Sequence, residues 1–490
     1  MSDLIRKGRL ATRRDDVLRF TSSIKDDARI ASAVLEINKA HSLMLVEQGI
    51  ISKEDGAELL KALLKVTLKA RYDEEIEDIH MYIEEEIFKI IGLEKGGNLH
   101  LAKSRNDQVA TAIRMRLRRE LLEVKKTIVC LQEALVNLAK ENVYTITIGH
   151  THIQPAQPVT FSHQLISYVD SLQRDFDRIK DAYIRMNFSP MGACALATTS
   201  FPINRERVAE LLGFEGVLEN SIDAIGTRDF LIEALWCYTA LAIDVGRVVE
   251  DLLLWSSYHF DLLELPNDFA STSSIMPQKK NPDLLEVMRA RMKLVAGYFT
   301  TCINTVMGLP SSYNLDFQEM TPLLWASTDQ ILECVSMLTK VIPNLHIKSD
   351  SALKKAVESL STSTELANLM VRKYNVPFRT AHNIVGAIAK YLVDKGYNHS
   401  MVTPKLISSI SQEVCGLDLK MDANDVKYAL NPTGFVEAHN VKGGPSPNEV
   451  KRVIVIRSER IDFSKNWIKK VEHKLKNANE KLEREISLLI

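Results

Sequence analysis

Residues 108–141 read QVATAIRMRLRRELLEVKKTIVCLQEALVNLAKE. Val109, Ala112, Ile113, Leu117, Leu121, Val124, Ile128, Leu131, Leu135 and Leu138 recur at three- and four-residue steps, which places them on one face of a helix. Neither glycine nor proline interrupts the run, so the spacing predicts a rod about 50 Å long. The same period returns in Thr160 to Met186, Asp229 to Tyr258, Pro282 to Met307 and Pro322 to Leu338. Five long amphipathic helices need one another to bury their apolar faces, and a bundle is the expected result. Gly (20) and Pro (15) make up about 7% of the 490 residues, below the roughly 12% of average proteins, which favours long helices over turn-rich sheet. Ser22 to Gly97 reads as helical and more charged, shorter helices follow from about Leu353, and NVKGGPSPNEV (440–450) leads into a charged amphipathic last helix.

A chain of this length is expected to form two to four domains or one extended bundle with appendages. Lys plus Arg (62) nearly cancel Asp plus Glu (63), so no global basic field is available for a phosphate backbone and nucleic acid is not an expected partner. The six cysteines lie far apart with no C-x-x-C pair, and buried reduced thiols are expected. MSDLIRKGRLATRRDD lacks the apolar core of a secretory signal, which points to the cytoplasm. The most apolar run, Phe230 to Trp255, is broken by Glu233, Asp244, Arg247, Glu250 and Asp251 and reads as a buried bundle helix, not a membrane span.

The chemistry-bearing residues collect in the breaks between the helices. STSSIMPQKKNP (271–282) puts lysines, an asparagine and Pro282 at a helix start, where unpaired backbone N–H groups and side-chain donors favour an anion. No G-x-x-x-x-G-K-[ST] run is present, so a carboxylate fits better than a phosphate. Ser273 and Ser274 could yield an alkoxide there if Lys279 and backbone dipoles stabilise it, while a surface turn with serines as helix caps is the plainer alternative. In GHTHIQPAQP (149–158), His150 and His152 have the spacing of two metal ligands, but nothing nearby completes a set. The two prolines suggest a rigid loop and a proton-transfer histidine; for His150 a structural hydrogen bond is the competing role. LHLAKSRNDQVAT (99–111) offers Arg105 for a two-pronged carboxylate contact, with Asn106 or Asp107 as a helix cap. SSYNLDFQE (311–319) offers Tyr313 and Gln318 as neutral hydrogen-bonding groups, and taken alone reads as a loop.

Taken together, these loops resemble the fumarase/aspartase superfamily. STSSIMPQKKNP is similar to its S-S-x-M-P-x-K-x-N signature, and the P-Q-K-K-N-P form resembles the argininosuccinate lyase family. SRNDQ (104–108), THIQPAQP (151–158), NSIDAIGTRDF (220–230), YNLDFQE (313–319) and VPFRTAHNIVG (376–386) resemble further blocks of that family, in its order, from about Phe20 to Gly444.

The resemblance implies an all-α, three-domain fumarase/aspartase-like fold whose long central helices form a twenty-helix core in a homotetramer. The expected division is a helical N-terminal domain (1–105), a central bundle (106–355) and a small C-terminal helical domain (356–490). The implied reaction is reversible β-elimination of argininosuccinate to arginine and fumarate, without metal or organic cofactor. By the same likeness Ser273 is the base, and His152 supplies or relays the acid, held by Glu286. Lys279 and Asn281 stabilise the aci-carboxylate, and Ser23, Asn106, Thr151, Tyr313 and Gln318 hold substrate.

Four positions depart from the pattern: Thr272 stands where the family has glycine, Gly226 and Thr227 replace the first two residues of S-D-R-D-F, and Thr321 replaces a lysine. KGRL (7–10) only faintly matches an early G-G-R-F block. The departures keep two alternatives open. One is a sister lyase on adenylosuccinate, aspartate or another succinyl-amine adduct; the other is a catalytically silent relative like the lens crystallins.

Overall fold

The computed structural model describes residues 14–69, 72 and 76–490. The KGRL block lies outside them. The five expected rods are present as Arg105–Glu141 (α1), Phe161–Met186 (α2), Asp229–Ser256 (α3), Asp283–Val306 (α4) and Thr321–Val341 (α5). One continuous core runs through them, from Leu117 and Leu121 on α1 and Leu172 on α2 to Leu241 on α3, Val295 on α4 and Leu338 on α5. The protein is all-α, as the periodicity predicts; among the described residues every strand belongs to a two-stranded pairing.

Residue chemistry explains where α1 begins. Ser104 accepts from the Asn106 N–H, Asp107 accepts from the Ser104 N–H, and the reciprocal pair closes the first turn. The other oxygen of Asp107 accepts from the N–H groups of Gly192 and Cys194 at 3.0 and 2.9 Å. A single buried carboxylate therefore ties the helix start to the 187–202 connection. Burial pushes Asp107 up to about 6 against these hydrogen bonds.

The last helix, Pro447–Leu489 (α6), returns to the bundle, and its Val450, Ile454, Ile461, Ile468 and Ile486 belong to the main core. At its seam with α1 and α2 the Lys125 ammonium donates to the Phe176 carbonyl at 3.0 Å and faces the rings of Phe176 and Trp467 at 3.4 and 4.1 Å. A second core, from Leu366 to Ala429, is built by the short helices that follow. Residues 356–490 thus contain one compact unit and one long helix whose apolar side is buried elsewhere.

Two expectations need correction. The 149–158 stretch, expected as a rigid loop, is part of an antiparallel hairpin, Ile146–Thr151 (β1) paired with Gln154–Thr160 (β2). Its prolines are tolerated because a two-stranded ribbon leaves outward positions that need no N–H. Of the six thiols, Cys130 and Cys415 are exposed; the other four are buried and all six are free.

Among the described residues no helix is long and apolar enough to cross a membrane.

Candidate functional site

Where α1 begins, the chain encloses a cavity of about 180 Å³ lined by Ser23, Asp26, Asp27, Glu77, Asp78, Arg105, Asn106, Arg228, Tyr313, Gln318 and Thr321, with Ile30, Val109, Ile113, Leu315 and Phe317 as its apolar wall. Six residues singled out from the sequence meet here: Ser23, Arg105, Asn106, Tyr313, Gln318 and, among the departures from the family pattern, Thr321. They come from positions up to about 300 residues apart, so only the packing of α1 against the N-terminal helices and the 310s segment assembles them. Asn106 donates to the Ala195 carbonyl at 3.0 Å and Gln318 to the Thr21 carbonyl at 3.1 Å, which fixes both amides. Ser23 donates to Asp27 at 2.8 Å. Burial, with the nearby Asp78 charge added, raises Asp27 to about 7.

Arg105 lines the cavity with its guanidinium held by Asp78 at 3.0 Å and Glu84 at 3.5 Å, so the chain's own carboxylates occupy its fork. Arg228 escaped the sequence reading. It is only 2% exposed; its Nη1 donates to the carbonyls of Ile225 and Thr227, while Nε and Nη2 have no partner among the described residues. A guanidinium beside the rings of Phe317 (4.5 Å) and Tyr313 (6.0 Å) leaves no local pattern in sequence.

The proposed reacting groups lie elsewhere: none of Ser273, His152, Lys279 and Glu286 lines this cavity. STSSIMPQKKNP folds as a flap, with Ser271–Thr272 (β3) paired antiparallel to Lys280–Asn281 (β4). Thr272 is extended in that pairing, a conformation that suits a β-branched residue, which explains why glycine is not required there. Ser273 donates its N–H to the Lys279 carbonyl at 3.1 Å, and its Oγ accepts from the N–H groups of Met276 (3.1 Å) and Ile275 (3.4 Å). Two amide dipoles therefore converge on the hydroxyl oxygen and favour negative charge on it.

The helix start expected to hold an anion carries carboxylates of its own in its first turn. The first turn of α4 carries Asp283, which accepts from Ser271, and Lys280 reaches back to Glu264, Asn267 and the Leu265 carbonyl. The tip of the flap is uncovered, with Ile275 83% exposed.

His152 and Ile153 form the two-residue turn of the β1–β2 hairpin, both at positive φ (56° and 60°). That primed turn matches strand twist but is strained for residues other than glycine, asparagine or aspartate, and no Asn-Gly signal advertised it. His152 and Thr151 are exposed. Glu286 is exposed on α4, with Arg289 at 4.0 Å. His150 sits on β1 against the Phe260 ring at 5.1 Å between centroids, and burial lowers its pKa. Among the described residues no group of three His, Cys, Asp or Glu stands close enough to hold a metal ion.

The family model described as "Lyase" matches residues 8–297, and that described as "Argininosuccinate lyase C-terminal" matches residues 360–437. Argininosuccinate lyase of Methanosarcina barkeri is 42% identical over 474 residues, covering 96% of this chain and 95% of the relative. That of Methanocaldococcus jannaschii is 39% identical over 482 residues, covering 97% and 98%. Among solved structures, EDDS lyase in complex with formate superposes with a TM-score of 0.88 at 29% identity, covering 95% of this chain and 92% of that one. A class II fumarase from Schistosoma mansoni, at 18% identity and a TM-score of 0.72, shares the fold. With two family models over the body and the second core, and relatives near 40% identity along almost the whole length, the chain is a lyase that belongs to the argininosuccinate lyase family.

Proposed function

We propose that the chain catalyses reversible β-elimination of argininosuccinate to arginine and fumarate, a step of arginine biosynthesis. The observations that support this reading are a cavity lined by Ser23, Asn106, Tyr313 and Gln318, to which we assign the amino-acid half of the substrate, and a hairpin flap whose serine oxygen accepts from two amides. Ser273, as alkoxide, takes the proton from the succinyl Cβ. The electron pair left on that carbon spreads into the adjacent carboxylate, giving a dianion that Lys279 and Asn281 stabilise. The C–N bond then breaks, its electrons pass to the guanidino nitrogen, and His152 delivers or relays the proton that completes arginine. Glu286 orients the imidazole.

A proton beside a carboxylate is very weakly acidic, so the rate depends on stabilising the dianion, and each preorganised donor contributes about 3 kcal/mol. Asn106, Tyr313, Gln318 and Ser23 hold the arginine half, with Thr151 at the hairpin end. Asp26 and Asp27 give that cavity an acidic side suited to a cationic amino group. Arg105 acts through Asp78 and Glu84 by fixing the cavity wall.

The reacting groups belong to different protomers of a homotetramer. Support comes from apolar residues left open on the bundle, including Trp236 and Ile243 on α3 and Val287 and Leu294 on α4, each roughly half exposed. The reading places the enzyme in the cytoplasm, with no metal or organic cofactor. Purified protein mixed with argininosuccinate is expected to release fumarate, followed by its ultraviolet absorbance, faster than with adenylosuccinate or aspartate. A folded tetramer that turns over either of those faster, or none at all, would refute it.

A further inference from the structure

Gly226 ends the short helix Ser221–Gly226, directly beneath the segment that carries Tyr313. A methyl group added at Gly226 would lie 2.8 Å from Ser312 Cα, 2.9 Å from its N and 3.0 Å from its carbonyl carbon. All three are backbone atoms, so no side-chain rotation relieves the contact. Ser312 is at φ 77°, a left-handed conformation that a residue with a side chain adopts only when its surroundings impose it. The next residue, Tyr313, packs against Ala193, Ala224 and Ile225 and turns its ring edge to Phe317 at 5.9 Å. Arg228 fastens the other side, donating to Ile225 and Thr227 while facing both rings.

We propose that Gly226 is a positioning residue: its bare α-carbon lets the Ser312 backbone dock on the helix end, and this docking sets Tyr313 in the substrate cavity. The inference rests on the reading of Tyr313 as a substrate contact. It also gives a physical meaning to one departure from the family pattern, since a serine at 226 is incompatible with the 310s segment as it lies here.

The sign of the effect isolates the contact. Gly226 is not at positive φ, so its backbone accepts alanine, and helix propensity alone makes Gly226→Ala stabilising. Gly386 is a helical glycine at which an added methyl meets nothing within 4 Å. Gly386→Ala is expected to hold or raise the melting temperature and leave KM unchanged. Gly226→Ala is expected to lower the melting temperature and raise KM for argininosuccinate by about three- to tenfold, with kcat within about threefold.

The decisive measurement is a cycle with Tyr313→Phe. If Gly226 acts through Tyr313, the KM penalty of Gly226→Ala shrinks to less than about twofold when Tyr313→Phe is already present. An unchanged KM in Gly226→Ala, or a penalty that adds in full to that of Tyr313→Phe, overturns the proposal. A Tyr313→Phe variant with ordinary KM instead sinks the assignment of Tyr313, a separate failure. Should Gly226→Ala not fold, the same cycle is run on Gly226→Ala with Ser312→Gly, whose glycine at positive φ lets the segment step back from the new methyl. A wild-type KM in that chain would likewise overturn it.

Discussion

The cavity at the start of α1 and the two hairpin tips, which the proposed mechanism assigns to one reaction, are built in opposite ways. In the cavity Asn106, Gln318 and Ser23 are each held by a hydrogen bond within the chain, and the start of α1 that carries Asn106 is tied to the 187–202 connection by the buried carboxylate of Asp107. At the tips His152 is exposed, the end of the flap stands open, and among the described residues Ser273 is organised by the flap's own amides. On the proposed mechanism, one chain therefore preassembles the part that binds and leaves exposed the part that reacts. A group that must transfer protons benefits from arriving with the closed complex, because water is then excluded before charge develops.

This contrast can be broken at the tips first, where the largest effects are expected. Ser273→Ala should reduce kcat by three orders of magnitude or more while arginine still binds, as checked by steady-state rates and calorimetric titration. Loss of arginine binding in that variant would show that the flap belongs to the cavity and that the two regions are not separate. His152→Asn should lower kcat by roughly 10²- to 10⁴-fold, the usual range for a general acid or base, with KM little changed. Cavity variants should show the reverse pattern. Tyr313→Phe or Gln318→Ala should raise KM by about three- to tenfold and leave kcat nearly intact, since one hydrogen bond to the bound molecule is lost.

A pH profile sharpens the same division. The folded pKa of Asp27 lies above its ordinary value, so its contribution to stability is fully present below about pH 4 and is lost as pH rises through about 7. The same proton opposes a cationic guest. KM should therefore rise as pH falls below about 7, and Asp27→Asn should flatten that limb in initial-rate measurements. The smallest effect is expected at Thr272→Gly: the residue only pairs within the flap, so kcat should change by less than about threefold.

How legible these regions were differs for physical reasons. Ser104 and Asp107 announce a helix start by local hydrogen-bonding chemistry, and the rods announce themselves by period. The β1–β2 hairpin was hidden because its turn is His-Ile, residues that carry no signal for positive φ, and because two prolines argue against a strand. Arg228 was hidden because its importance lies in Phe317, Tyr313 and the carbonyls around it, none of which is near it in the chain except Ile225 and Thr227.

By itself the sequence determined the all-α class, the extent of the five rods and the segments that carry chemistry, because helix period, capping and breaker residues act over a few positions. Only the tertiary structure decided that Ser23, Asn106, Tyr313 and Gln318 share one cavity, that Arg105 is already paired, and that Gly226 makes room for Ser312. Those facts depend on which surfaces of distant segments come to rest against each other, and that is set by the packing of the whole core.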